Sequence, residues 1–352
     1  MTPLAELIIR RIARDGPMRL DDFMQTCLLH PEHGYYTTRE PFGTAGDFTT
    51  APEISQMFGE LVGLALAQTW IDQGAPKPFA LAELGPGRGT LMADMRRAMA
   101  RVPGLTDAAR ITLVEASARL RQIQSARLGP VSHCGGVDEL PELPLFLVAN
   151  EFFDALPIRQ FVRVDGGWAE RMVTVSEGAL ALALAPPVPL PRDGAPGEVW
   201  EDRPAAAAII AAIARRIVRH GGVALIIDYG TWDGYGDSLQ ALQRHGRADP
   251  LDRPGEADLT AHVDFAPLAA AAVAEGAAAS APVPQGAWLR MLGIEARAAR
   301  LTAAGDAGAQ TALHRLTHPA QMGHLFKVMA IWPPKAPPPP GFAVLESDAA
   351  RA

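Results

Sequence analysis

The chain has 2 cysteines in 352 residues, Cys27 and Cys134, and neither belongs to a Cys-x-x-Cys pair. That excludes a disulfide framework and a Cys-rich zinc module, and a reducing compartment is expected. Long uncharged apolar runs are missing too. Even the Ala-rich stretches are broken by Arg, Asp, Glu or Gly before they reach the roughly 20 residues of a membrane span. Basic residues are in deficit, 32 against 39 acidic ones for a net charge of −7. This argues against a nucleic-acid or anionic-membrane footprint and favours a protein or small-molecule substrate. His30 and His33 flank a proline and a turn with no third ligand nearby, so no metal is expected. The remainder is 48% hydrophobic and 20% charged, an ordinary globular composition.

Residues 1–75 read as a helical N-terminal region. A first helix runs to Arg14, a turn follows at Asp15-Gly16-Pro17, and a second helix spans Leu20 to Leu29. Glu6 and Asp15 set the first helix apart from an acid-poor transit peptide, so a cytoplasmic bacterial protein is expected. The polar loop Phe42 to Glu53, containing Asp47, has the composition of a lid, although such a loop is as often a helix N-cap. An amphipathic helix carrying Ile54, Met57, Phe58, Leu61 and Leu64 follows.

From residue 76 to 332 the pattern is α/β, with short apolar strands alternating with helices, as in a parallel sheet. Strands are expected at Phe79 to Glu83, Ile111 to Glu115, Leu145 to Ala149, Val223 to Asp228 and Leu325 to Trp332, with a weaker one near Val131 to Cys134. Residues 165–200 and 231–290 interrupt this rhythm as insertions, read either as walls of a substrate site or as plain surface loops. Residues 333–352 form a Pro-rich tail, expected to be flexible.

In a parallel sheet, ligands bind at the carboxyl ends of the strands, where a strand-to-helix turn offers backbone amides. Glu83-Leu84-Gly85-Pro86-Gly87-Arg88-Gly89 occupies that position. Its third glycine comes one residue earlier than in dinucleotide binders. A ligand carrying an ammonium and a sulfonium in place of a pyrophosphate would suit the acid Glu83, and S-adenosylmethionine is such a ligand. Glu115, ending the next strand, can accept from both ribose hydroxyls. The cofactor residues expected from this reading are Glu83, Gly85, Pro86, Gly87, Gly89 and Glu115, with Asn150 and Glu53 beside them.

The third secure strand ends in Asn150-Glu151-Phe152-Phe153-Asp154, two carboxylates bracketing two aromatics. Methyl transfer from a sulfonium is an in-line displacement, so the protein must hold a nucleophile and manage its proton. Glu151 and Asp154 can pin a guanidinium. Alternatively, Asp154 caps a turn and Glu151 pairs with Arg159 or Arg163. The prolines of the Asn-Pro-Pro-aromatic motif of DNA amino-methylating enzymes are absent, which argues against a nucleobase substrate. In Asp258 to Phe265, His262 and Asp264 lie on one side of an extended segment, where they can relay a proton. The catalytic candidates are therefore Glu151, Asp154, Asp47 and His262.

These stretches resemble the MidA-like family, which includes a mitochondrial complex I assembly factor. The resemblance extends from the first helix to about Met329. It runs through Cys27 to Tyr36, Gly46-Asp47-Phe48, Pro52 to Gln56, Glu83 to Thr90, Asn150 to Pro157, Ile227-Asp228-Tyr229-Gly230, Asp258 to Phe265 and Gly323 to Val328. It implies a class I methyltransferase, with a Rossmann-like seven-stranded sheet, a helical N-terminal region and inserted substrate-site segments. It also implies a protein arginine as methyl acceptor, plausibly on a complex I core subunit. A small-molecule methyltransferase and an assembly chaperone that binds a respiratory subunit remain the alternatives.

Overall fold

A computed structural model describes residues 1–38, 49–243 and 246–343. Asp47, with the expected lid loop up to Phe48, lies outside the described residues, as does the end of the Pro-rich tail. The chain divides into two compact units. One comprises Met1–Phe48, Asp154–Ala206 and Asp233–Val263; the other comprises Thr49–Phe153, Ala207–Trp232 and Asp264–Ala352.

The second unit carries the parallel sheet. Its path of strands runs Ser132–Cys134, Ala109–Val114, Phe79–Leu84, Leu145–Asn150, Gly222–Thr231, Phe326–Trp332 and Ala278–Ala279. The first five are mutually parallel, and Phe326–Trp332 runs antiparallel to Gly222–Thr231. Phe79–Leu84 and Leu145–Asn150 are buried along their whole length. A parallel strand covered on both faces needs an apolar run, supplied here by residues 79–82 and 145–149, which is why these strands stand out in the sequence. Strand order reverses between Phe79–Leu84 and Leu145–Asn150, and ligands in such sheets bind beyond the carboxyl ends at that switch point.

The expected amphipathic helix is two helices, Ala51–Ile54 and Gln56–Asp72, split at Ser55, whose side chain accepts from the Met57 amide at 3.2 Å. Its burial also departs from the apolar stripe: Leu64 is 45% exposed, whereas Gly59 and Gly63 are buried. A Cβ on Gly59 would stand 2.6 Å from Asp94 Cβ, and one on Gly63 2.8 Å from Met95 Cα. These two glycines let the helix Thr90–Met99 approach backbone to backbone, so they define the packed face in place of Leu64.

The first unit has its own core. Pro3 opens the helix Pro3–Asp15 behind the cap Thr2, which accepts from the Ala5 amide at 3.1 Å, and Leu4, Ile8 and Ile12 are buried one turn apart. They share a cluster with Phe23, Met24 and Cys27 of the helix Leu20–Leu29 and with Val173 and Leu259. The segment 165–200 is largely sheet. Gly167–Ser176 and Ala179–Leu184 form a hairpin turned at Glu177 and Gly178, whose φ values of 53° and 80° suit a two-residue turn between twisted strands. Met18–Arg19 joins this sheet against Val173 and Met172. Gln240–Gln243, Gly246–Ala248 and Asp258–Thr260 make a smaller antiparallel sheet.

Candidate active site

The glycine loop leaves the sheet at Leu84 with Gly85, Gly87 and Gly89 at φ 59°, 52° and 76°, a region that L side chains rarely adopt. Gly89 caps the helix Thr90–Met99, so that helix's free amides open onto the loop. The Gly89 amide donates to the Pro86 carbonyl at 2.7 Å and the Gly85 amide to the Val114 carbonyl at 3.0 Å. A Cβ on Gly85 would meet Phe152 Cδ2 at 2.9 Å, so the loop lies against the segment that holds the candidate acceptor carboxylate.

Glu83 is 3% exposed. Burial, and to a lesser degree the Glu115 charge, push its carboxyl up to about 8 against an opposing hydrogen bond from the Met92 amide. Its Oε2 has no hydrogen-bond partner among the described residues, and the same holds for Asn150 Oδ1. Buried acceptors nearly always find a donor, so these two, on the paired strands Phe79–Leu84 and Leu145–Asn150, mark a place for a cationic, N–H-rich group.

Glu115 sits just past its strand and accepts from the Ser117 amide on Oε1 at 2.8 Å, from Gln124 Nε2 on Oε2 at 3.1 Å and from the Ala116 amide. Burial raises its pKa and these donors oppose the rise. A carboxylate offers about four lone-pair sites, so these three donors leave one for a hydroxyl.

Glu151, also at the end of its strand, has φ 51°, an uncommon value for a side chain of its size. Its Oε1 accepts from the Ala51 amide and from Asn150 Nδ2, both at 3.0 Å. Next to it, Asp228 Oδ2 accepts the Phe152 and Phe153 amides at 3.2 and 2.9 Å, and its Oδ1 the Tyr229 amide at 3.0 Å. Glu53 meets the loop at Arg88: its two oxygens accept from Arg88 Nη2 and from Thr90 Oγ1 at the start of the following helix. Burial works against the Glu53 charge, but the Arg88 and Thr90 hydrogen bonds outweigh it and hold its carboxyl below the usual range.

Residues 61–283 match the family described as "Putative S-adenosyl-L-methionine-dependent methyltransferase". The chain belongs to that methyltransferase family. It is 36% identical to the protein arginine methyltransferase NDUFAF7 of Mus musculus, covering 95% of this chain and 85% of the relative. It is 34% identical to the Xenopus laevis protein of that name, covering 96% and 88%. A solved structure from Burkholderia thailandensis bound to S-adenosyl-homocysteine superposes with a TM-score of 0.81 at 30% identity, covering 94% of this chain and 91% of that one. The cofactor is therefore S-adenosyl-L-methionine. The residues present fit it: orphaned acceptors on Glu83 and Asn150 for an ammonium, a lone pair on Glu115 for a ribose.

Of the remaining candidates of this methyltransferase, Asp154 and His262 lie in the first unit and Asp264 in the second. Asp154 is 6% exposed, and its carbonyl accepts the Ala261 amide at 3.0 Å. Tyr36 donates its hydroxyl to Asp258 Oδ1 at 2.8 Å, and burial together with Asp258 and Asp154 holds its phenol well above the ordinary value. Arg159, offered above as a partner of Glu151, has its fork on Glu170 at 2.8 and 2.7 Å, and Arg163 lies over the Trp168 ring. The His262 amide donates to Ser238 Oγ at 2.8 Å. Asp264 caps the helix Phe265–Ala274 by accepting the Ala266 amide at 3.1 Å, so the segment read as extended turns helical right after it.

Sequence reasoning missed Gln124 and the function of Asp228. Asp228 lies in a stretch singled out by resemblance, but nothing local showed it gathering three amides. Gln124 gives no local signal, since its partners stand 37 and 9 residues away.

Proposed function

We propose that this protein transfers a methyl group from S-adenosyl-L-methionine to an arginine side chain of a protein, a respiratory complex I subunit, in a bacterial cytoplasm. The observation that carries the reading is Glu151, a non-glycine residue held at φ 51° by donors from Ala51 and Asn150 at the carboxyl end of a central strand. Strain of this kind costs on the order of 1–3 kcal/mol and persists where function requires it. The relatives named protein arginine methyltransferase, which align over nearly the whole chain, support the choice of acceptor.

When bound, the cofactor supplies an electrophilic methyl on a sulfonium. Glu83 and Asn150 would hold its ammonium and Glu115 its ribose, with the glycine loop leaving room for its backbone-close approach. An arginine nitrogen must lose a proton as its bond to the methyl carbon forms and the sulfur–carbon bond breaks, the electron pair of that broken bond staying on a neutral thioether. The nitrogen lone pair is tied up in the delocalised fork. Glu151 is the carboxylate that orients the fork and takes up that proton. Asp154 is proposed as a second acceptor carboxylate on the evidence of its own unit, where it is buried in the company of Tyr36 and Asp258.

The test is incubation of the purified protein with methyl-labelled cofactor and an extract of cells lacking the gene, followed by acid hydrolysis of the protein fraction. Label recovered as methylarginine supports the reading. Label confined to the small-molecule fraction, or to another amino acid, overturns it.

A further inference from the structure

Gln124, on the helix Ala118–Leu128, is fully buried. Its Nε2 donates to the Gly87 carbonyl at 2.8 Å and to Glu115 Oε2 at 3.1 Å, and its Oε1 faces His133 Nε2 at 2.9 Å. A carbonyl and a carboxylate on the nitrogen side can only accept, so the amide has one orientation and His133 donates from Nε2. Burial, and then the Arg121 charge, keep the His133 pKa below its ordinary value, consistent with a neutral ring that holds its proton on that nitrogen.

We propose that Gln124 is a positioning residue for the ribose of the cofactor, acting through Glu115, with His133 locking its amide. This rests on the reading of Glu115 as the ribose acceptor. Gln124 ties the two cofactor elements together, since one N–H holds the glycine loop at Gly87 and the other holds the acid of the neighbouring strand. With the Ser117 amide on Oε1, Gln124 on Oε2 and the Ala116 amide as a third donor, the Glu115 carboxylate has a fixed plane, so the ribose diol meets an aimed lone pair. Without Gln124, a carboxyl whose pKa burial already raises loses one of its opposing donors. A neutral, rotating acid accepts hydroxyls poorly.

The experiment is calorimetric titration of the full chain with S-adenosyl-homocysteine and with its 2′-deoxy and 3′-deoxy analogues, for wild type and Gln124→Leu. Wild type is expected to prefer the intact ribose. Gln124→Leu should bind S-adenosyl-homocysteine on the order of 10-fold to 100-fold more weakly, the value of a hydrogen bond to a charged group, and should lose most of the preference for intact ribose. If the variant weakens all three ligands equally and keeps the preference, Gln124 acts through packing alone and the proposal fails. If wild type itself shows no preference, the ribose role of Glu115 is wrong and the proposal falls with it. Should Gln124→Leu not fold, Gln124→Glu keeps the length and shape but turns the donor into an acceptor. It must show the same loss of preference, and a retained preference overturns the proposal.

Discussion

Asn150 Nδ2 donates to Glu151 Oε1 at 3.0 Å, two neighbours at the end of one strand, with Glu151 turned into the left-handed region. The contact fixes the direction of the Asn150 amide and leaves its Oδ1 as the orphaned buried acceptor. One dipeptide thus faces both the cofactor and the proposed acceptor, and the two functions should separate on mutation. Glu151→Gln retains an acceptor for the Ala51 and Asn150 donors, so affinity for S-adenosyl-homocysteine should stay near wild type. The transfer rate should fall by roughly 10²–10⁴-fold, the usual contribution of a positioned proton acceptor. Single-turnover kinetics beside calorimetry checks this, and a fully active variant removes Glu151 from the mechanism.

Asp228 holds the Phe152, Phe153 and Tyr229 amides and is fully buried. Asp228→Asn turns an amide N–H toward one of those backbone donors. The expected cost is about 1–3 kcal/mol of stability, from the unsatisfied group, together with a loss of transfer rate from the displaced loop. Chemical denaturation and turnover measured on the same preparation test both.

Gly85→Ala adds a Cβ at 2.9 Å from Phe152 Cδ2 on a backbone with φ 59°. Cofactor affinity should fall by about tenfold or more, because relieving this clash and ~1–2 kcal/mol of strain displaces the loop that the cofactor needs. Gly16→Ala, at φ 88° with open space around the new carbon, supplies the control. It costs backbone strain and should leave cofactor affinity unchanged.

Glu83 predicts a pH dependence. Unfolded, its carboxyl ionises near the ordinary 4.5; folded and cofactor-free, it keeps its proton up to about 8. Between those values the native state binds the extra proton, so this group's contribution is fully present at the acid end and is lost as pH rises through the window. Glu83→Gln cannot ionise. Its stability relative to wild type should therefore increase as pH is raised from about 5 to about 8, measured by denaturant unfolding of the cofactor-free proteins. A stability difference that does not change with pH would mean that Glu83 is already ionised in the fold.

Much of the sheet was legible because its central strands are buried on both faces. Residues 79–82, 145–149 and 223–227 hence read as unbroken apolar runs, each followed by polar site residues. The glycine loop was legible because three positive φ values in five residues leave glycine as the ready solution. The face of the helix Gln56–Asp72 was misjudged at Leu64, since hydrophobic spacing gives no weight to Gly59 and Gly63, which pack by what they lack. Gln124 was invisible because its importance lies in contacts across the sequence, and the sharing of one core by Leu4, Val173 and Leu259 is likewise long-range.

Arginine methylation dependent on Glu151 is tested by quantitative proteomics of methylarginine peptides in cells lacking the gene, complemented with wild type or with Glu151→Gln. At least one peptide should lose its methylation in the deletion, regain it with wild type and not regain it with Glu151→Gln. A methylarginine profile identical in all strains would contradict it.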